Sequence, residues 1–274
     1  IRLSLVGSEM CIRDSCKLVP ASSVRRAAAI KYWICTIQPG GHLDRLASMR
    51  GYGQFCPVAK AAEILCERWT FLVVRELIAG STRFNDLRRG VPLMSPSLLA
   101  RRLRFLEECG VVRRESAAGR NHRYHLTPAG QELAPIVESL GVWGQRWVRS
   151  RLTEHDLDAG LLMWDIHRNI DVAALPAGRT VVQVALTDAP KAERVWWLVV
   201  EHGGVELCLI DPGHEVDLYV EAGLKSLTAV WIGSDRLDAA VGGGRILLDG
   251  PRDLARAFAR SLKISPFASV AAAG

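Results

Sequence analysis

The chain has 274 residues, 49% of them hydrophobic and 23% charged, with a net charge of +6. This composition excludes a disordered or collagen-like chain, and no apolar run approaches the ~20 residues that cross a bilayer, so no membrane partner is expected. Seven cysteines without paired spacing exclude a disulfide scaffold and fit a reduced, cytoplasmic protein.

The charge is unevenly spread. Residues 49–152 carry 17 Lys and Arg against 9 Asp and Glu, and 16 of those 17 cations are Arg. Residues 153–274 carry 11 against 17. A basic module joined to an acidic one points to a polyanion partner for the first. The planar fork of Arg suits phosphates and guanine edges. A solvated basic face is the plainer alternative.

Residues 1–48 read as a non-native or disordered leader. Leu5–Ser15, LVGSEMCIRDS, resembles translated sequencing-adapter read-through, and Ser22 to Leu46 shows no sustained periodicity. Arg25, Arg26 and Lys31 break any signal-peptide apolar core. Organised sequence begins after Met49.

From there the elements follow closely. Val58, Ala61, Ala62 and Leu65 are spaced for a helix over Cys56–Glu67, with Pro57 at its first position. Trp69–Ala79 is a second helix, with Phe71, Leu72, Val74, Leu77 and Ile78 directed inward. A short helix, Arg83–Arg89, buries Phe84 and Leu87. Ser95-Pro96 opens a fourth helix, Ser as N-cap and Pro at the first turn. Leu99, Leu103 and Leu106 share one face; Ser97, Arg101, Arg104 and Glu108 lie opposite, with Arg102 at the stripe's edge. Val111–Ser116 and His122–Leu126 are strands around a tip at residues 117–121. Thr127-Pro128 caps a last long helix reaching about Leu152, whose apolar side is Leu133, Ile136, Val137, Leu140, Trp143 and Trp147.

Three helices and a basic-tipped hairpin make a winged helix-turn-helix. Its second helix-turn-helix element would enter the major groove of double-stranded DNA. Ser95, Ser97, Arg101, Arg102 and Arg104 are the candidate groove or phosphate contacts. Arg83 and Asn85 are candidates for the backbone, and Arg120, Asn121 and Arg123 for the wing. Use of the fold for protein contacts is the alternative.

In detail the segment resembles the HxlR-type winged helix-turn-helix regulators of bacteria. The resemblance rests on Cys56-Pro57, Arg68-Trp69-Thr70, Arg75-Glu76-Leu77, Arg83-Phe84-Asn85-Asp86-Leu87, Ser95-Pro96, Arg102-Leu103 and the wing exit Tyr124-x-Leu126-Thr127-x-x-Gly130. It covers about 95 residues. It implies a homodimer, joined through the module's first and last helices, that binds pseudo-palindromic DNA and represses or activates transcription. Ser97 departs from the family, which often carries Lys or another polar residue there. In some relatives the cysteine at the position of Cys56 senses oxidants or electrophiles, and a helix N-terminus favours the reactive thiolate. A plain packing role is the alternative. Cys66 and Cys109 read as core or near-core.

In the acidic module, Glu154–Arg168 reads as a helix. Arg179–Thr187, Arg194–Glu201, Val205–Asp211 and Glu215–Val220 read as a strand meander, with a tight hairpin at His202-Gly203-Gly204. Helices over Gly223–Ile232 and Ser234–Val241, a strand Arg245–Leu248 and a helix Arg252–Leu262 follow. The fold class is therefore α+β: a winged helix-turn-helix, then a mostly antiparallel sheet covered by helices on one face.

This second module resembles the sterol-carrier-protein fold over roughly Gly178 to Ser269. The cues are the WWLVV strand, Asp211-Pro212-Gly213, Thr228-x-x-Trp231-x-Gly233 and Gly244-Arg-Ile-x-Leu-x-Gly250. The resemblance implies an apolar tunnel between sheet and helices that takes a small apolar ligand. Trp196, Trp197, Trp231, Phe258 and Phe267 are its candidate lining, a filled core being the alternative.

Phosphate-binding glycine motifs and a nucleophile elbow are absent from the sequence. His122 and His125 fall on opposite faces of a strand, and the acidic pair Asp156 and Asp158 suits a helix start. Neither an enzyme, a metal site nor a cofactor is expected. The function read from the sequence is a DNA-binding transcriptional regulator, repressor-like and homodimeric, modulated by an apolar ligand. A regulator switched through Cys56 is a second reading. A lipid or small-ligand carrier with a protein-contact winged module is a third.

Overall fold

A computed structural model describes residues 51–116, 122–148 and 153–273. Pro57 starts α1 (Pro57–Leu65), and Cys56 is its N-cap. Then come α2 (Thr70–Ile78), α3 (Phe84–Gly90) and α4 (Pro96–Glu108). Ser95 caps α4 as its sequence predicts, its side-chain oxygen accepting the Leu98 N–H at 3.3 Å. Leu99, Leu103 and Leu106 are all buried, and with Val73, Val74, Leu77, Leu87 and Met94 they form the first core. Each such side chain contributes about 1.5–3 kcal/mol on burial. In α2 the inward face is Val73, Val74 and Leu77; Leu72 and Ile78, expected inside, are exposed. The helix turns its apolar excess outward on one side because Thr70 and Glu76 occupy buried positions.

Strands β1 (Val112–Ser116) and β2 (His122–Leu126) pair antiparallel from Val112↔Leu126 to Ser116↔His122. The expected single long helix after Thr127 is two: α5 (Pro128–Gln131) and α6 (Ala134–Trp147). The interruption coincides with Pro135, which sits in the first turn of α6 and has no N–H to continue the α5 ladder. No residue of α6 is buried; Ile136, Leu140, Trp143 and Trp147 stand exposed.

The helix expected over Glu154–Arg168 is likewise divided. Thr153 and Asp156 close a capping box around a single 3-10 turn. Asp158 then caps α7 (Ala159–Asn169), accepting the Leu161 N–H at 2.7 Å. The strands are β3 (Thr180–Leu186), β4 (Val195–Glu201), β5 (Gly204–Cys208), β6 (Leu218–Ala222) and β7 (Ile246–Asp249). The helices are α8 (Leu224–Trp231), α9 (Leu237–Gly242) and α10 (Arg252–Ser261). At the β4–β5 turn His202 and Gly203 both take positive φ, 53° and 76°, as a tight hairpin demands.

The sheet order is β5-β4-β3-β6-β7. The meander expectation fails at one place: β6 does not follow β5 at the edge but lies parallel to β3, Val182 opposite Leu218. Asp217 fixes that crossing, its carboxylate accepting the Val181 N–H at 2.8 Å while its own N–H reaches the Val181 carbonyl at 2.9 Å. The other three pairings are antiparallel. The row Leu207–Leu198–Val182–Leu218 and the row Trp196–Val184–Val220–Leu248 lie on one face. That face packs on Leu162, Met163 and Ile166 of α7, Leu227 and Val230 of α8, and Phe258 of α10.

Candidate DNA interface

Helix α4 presents Ser97, Arg101 and Arg104 to solvent, because burial of Leu99, Leu103 and Leu106 fixes its rotation. Arg102 is withdrawn from the candidate contacts. Only 7% of it is exposed, and its guanidinium pairs with Glu67 while lying 5.7 Å from the centre of the Phe105 ring. An arginine one step off the apolar face can bury its stem and reach a neighbouring acid, and here it does. Ser95 is occupied as the N-cap and is 3.2 Å from the Ser97 hydroxyl.

Arg83 and Arg123, far apart in the chain, are brought together by an isolated antiparallel bridge, and the Tyr124 N–H reaches the Thr82 carbonyl at 2.8 Å. The approach to α3 thereby touches the wing strand β2 at a single bridge. Arg83, Arg101, Arg104 and Arg123 are all exposed. Among the described residues, the Lys and Arg ion pairs of this module involve other cations: Lys60, Arg75, Arg89, Arg102, Arg113 and Arg114. Asn85 is exposed on α3. Arg120 and Asn121 lie outside the described residues. The arrangement is a helix-turn-helix carrying, on its exposed helix face and toward the tip of its wing strand β2, cations that have no acidic partner among the described residues.

Residues 64–152 match the family model described as HxlR-like helix-turn-helix. An uncharacterised HTH-type transcriptional regulator, YvaP of Bacillus subtilis (strain 168), is 38% identical over 98 residues, 35% of this chain and 91% of that protein. The chain belongs to the HxlR-like helix-turn-helix family. A second regulator of this type, sll1512 of Synechocystis sp., is 32% identical over 110 residues, 39% of this chain and 82% of that one. Among solved structures, the reduced form of the redox regulator HypR is 33% identical, covering 33% of this chain and 91% of that one, with a TM-score of 0.31.

Two features of this HxlR-like module were not legible in its sequence. One is Glu76 of α2, which has no solvent exposure. Its carboxylate accepts from Arg75 (2.8 Å), Ser81 (3.3 Å), Arg168 (2.8 Å) and the Trp164 indole N–H (3.3 Å). Burial pushes this carboxyl up, but Arg168 and Arg75 outweigh it and hold it below the ordinary range. Asp165, also bonded to Arg168, goes the other way, raised mainly by burial. Trp164 and Arg168 belong to α7, so this cluster ties the HxlR-like module to the sheet module. The other is the pair Arg88-Arg89 at the end of α3, of which Arg89 lies 5.3 Å from the centre of the Trp164 ring.

Of the cysteines, Cys56 is half-buried at the α1 N-cap and Cys66, expected near the core, is exposed. Cys109 is half-buried, and its thiol is pushed up to about 11 by burial, with Glu108 adding to the rise.

The expected tunnel behind the sheet is filled: only about 10 Å³ is free among Met163, Ile166, Val184, Leu227 and Phe258. The five candidate lining aromatics are dispersed. Phe258 is core, and Trp231 packs half-buried against it. Trp197 points away from the helices because it alternates with Trp196 along β4. Phe267 covers Gly141 of α6, where an added Cβ would lie 2.2 Å from its ring. A groove of about 940 Å³ adjoins the filled tunnel, sharing Leu237, Leu248 and Leu262 with it and adding Val241, Arg252, Arg256 and Arg260.

Proposed function

We propose that this protein regulates transcription as a repressor-like homodimer that binds double-stranded DNA. The observation that carries the reading is that Arg83, Arg101, Arg104 and Arg123 are exposed, without an acidic partner among the described residues, on the α4 face and at the wing of a helix-turn-helix of the HxlR-like family. Arg101 and Arg104, with Ser97, face the major groove. Arg83, Asn85 and Arg123 hold backbone phosphates, and Arg120 and Asn121, outside the described residues, are proposed as further DNA contacts. Exposed Phe55, Val58, Leu140, Trp143 and Trp147 supply the dimer surface; such a concentration of large apolar side chains favours association. The resemblance of residues 178–269 to a sterol carrier is supported by the one-sided, mostly antiparallel sheet. Its apolar ligand would sit in the groove beside α10 rather than behind the sheet.

Selection from a random duplex pool, followed by a salt series, tests this reading. We expect selective binding whose log K falls with log salt by roughly one unit per phosphate contact. Arg104→Ala should weaken binding and lower that slope. Unselective binding, unaltered by Arg101→Ala and Arg104→Ala, would overturn it.

One observation favours a second reading. Cys56 is half-buried between exposed Phe55 and Val58, so oxidation there would alter the proposed dimer surface. Loss of an oxidant response in Cys56→Ser, with DNA binding kept, would support a thiol switch.

A further inference from the structure

The HxlR-like module and the sheet module meet at a cleft of about 500 Å³, none of whose lining belongs to the groove beside α10. One wall comes from α3 and brings Asn85, Arg88 and Arg89. The facing wall is Trp164, Trp196, Leu207 and Leu209, with Glu193 at its edge. We propose that this cleft binds a small aromatic carboxylate.

The apolar wall is fitted for an aromatic body. Both indole N–H groups are already used: Trp164 donates to Glu76, and Trp196 donates to the Glu193 carbonyl at 2.7 Å. Trp164 and Trp196 are 6% and 5% exposed, so what each offers the cleft is a strip of ring carbon. Leu207 and Leu209 extend that surface, and the volume lies within the ~300–1,000 Å³ of small-molecule sites.

The opposite wall is fitted for an anion. Arg88 has no acidic partner among the described residues, and Arg89 is ion-paired with Asp86 only loosely, at 3.9 Å. Two guanidiniums can receive a carboxylate through parallel N–H donors. Within the lining two guanidiniums face the single carboxylate of Glu193, and Asp86 beside Arg89 offsets part of what remains, so the cleft suits no more than a monoanion. The field of Arg89 reaches the sheet module: after burial, it helps keep His167 below its ordinary value, and it opposes the burial-driven rise of Cys208. The bound carboxylate would be gripped by α3, the helix that also carries Asn85, so occupancy would act on the element proposed to hold the DNA backbone.

Calorimetry on the full chain with benzoate and 1-naphthoate, and with 1-naphthamide as the uncharged match, tests this. We expect saturable binding of 1-naphthoate, at least tenfold weaker for the amide and at least tenfold weaker in Arg88→Gln/Arg89→Gln. Leu209→Glu, a change at a half-exposed position, should weaken it similarly by placing an acid beside the arginines. Arg256→Gln/Arg260→Gln, at the other groove, should bind as the parent does. Three results would each overturn the proposal: no saturable heat with either carboxylate, equal affinity for naphthoate and naphthamide, or loss confined to the Arg256/Arg260 variant. The assay contains no DNA, so its outcome is separate from that of the DNA-binding reading.

Discussion

Replacing Glu76 by Gln probes the joint between the two modules. The carboxylate accepts six hydrogen bonds, three on each oxygen: Arg75 Nε, Arg75 Nη2 and Arg168 Nη2 on Oε1; Ser81 Oγ, Trp164 Nε1 and Arg168 Nη1 on Oε2. A glutamine of the same shape turns one acceptor into a donor, so three donors face an N–H₂ group, Arg75 loses its acidic partner and Arg168 keeps only Asp165. Breaking a buried pair by removing one partner costs about 3–5 kcal/mol; Arg75 and Arg168 keep some access to water, which places the loss near about 3 kcal/mol. For a unit of this size that lowers Tm by roughly 6–12 °C. Thermal denaturation followed by circular dichroism measures it. Adding Arg75→Met should recover part of the loss, because it removes the guanidinium left without an acid, whereas Arg168 still has Asp165. A fall of less than about 2 °C in Glu76→Gln would refute the reasoning, since about 1 kcal/mol is what a single neutral hydrogen bond contributes.

Other consequences can be measured on the same protein. The stabilisation from Glu76 is complete above the unfolded value of 4.5 and lost as pH falls through the lower folded one; Asp165, raised above 3.8, works in the opposite sense over its own window. An acid titration of Tm should therefore show a shallower acid limb in Glu76→Gln than in the parent. Gly90→Ala should destabilise at least as much as Glu76→Gln, because its Cβ would lie 1.9 Å from the Glu76 carboxyl carbon; a Tm within 2 °C of the parent would contradict that packing. With Cys109 pushed up to about 11, an aromatic disulfide reagent at pH 8 should label exposed Cys66 quickly and Cys109 only after unfolding. Gly141→Ala should cost about 1–3 kcal/mol through overpacking against Phe267, read as a lowered urea midpoint.

The local grammar of the winged module was legible. Ser95-Pro96 marks the start of α4 and the leucine spacing fixes its face, so the outward position of Arg101 and Arg104 follows from sequence. Arg102 was misread because its place at the edge of the stripe permits either groove contact or burial, and only the approach of Glu67 decides. In the sheet module the strands were found but the position of β6 was not. Alternating apolar residues define which face of a strand is buried, while parallel or antiparallel pairing depends on where the intervening chain goes. The tunnel failed for a related reason. Side-chain size predicts that Trp196, Phe258 and Phe267 are buried somewhere, and not that they share a cavity. Glu76 belongs to a motif that matches the family, but its burial carries no sequence signal, because its partners Trp164 and Arg168 lie some 90 residues away on another module.

The segment after α10 returns to the winged module: Phe267 lies over Gly141, and the Ala273 N–H reaches the Arg146 carbonyl at 2.8 Å. On a ribosome adding about 5–20 residues per second, α6 emerges several seconds before the residues that cover it. During that interval Trp143 and Trp147 are on display without the neighbouring tail in place. The module translated first is thus completed last, and its exposed helix is open to chaperones or to a second nascent copy before the sheet module exists to brace it.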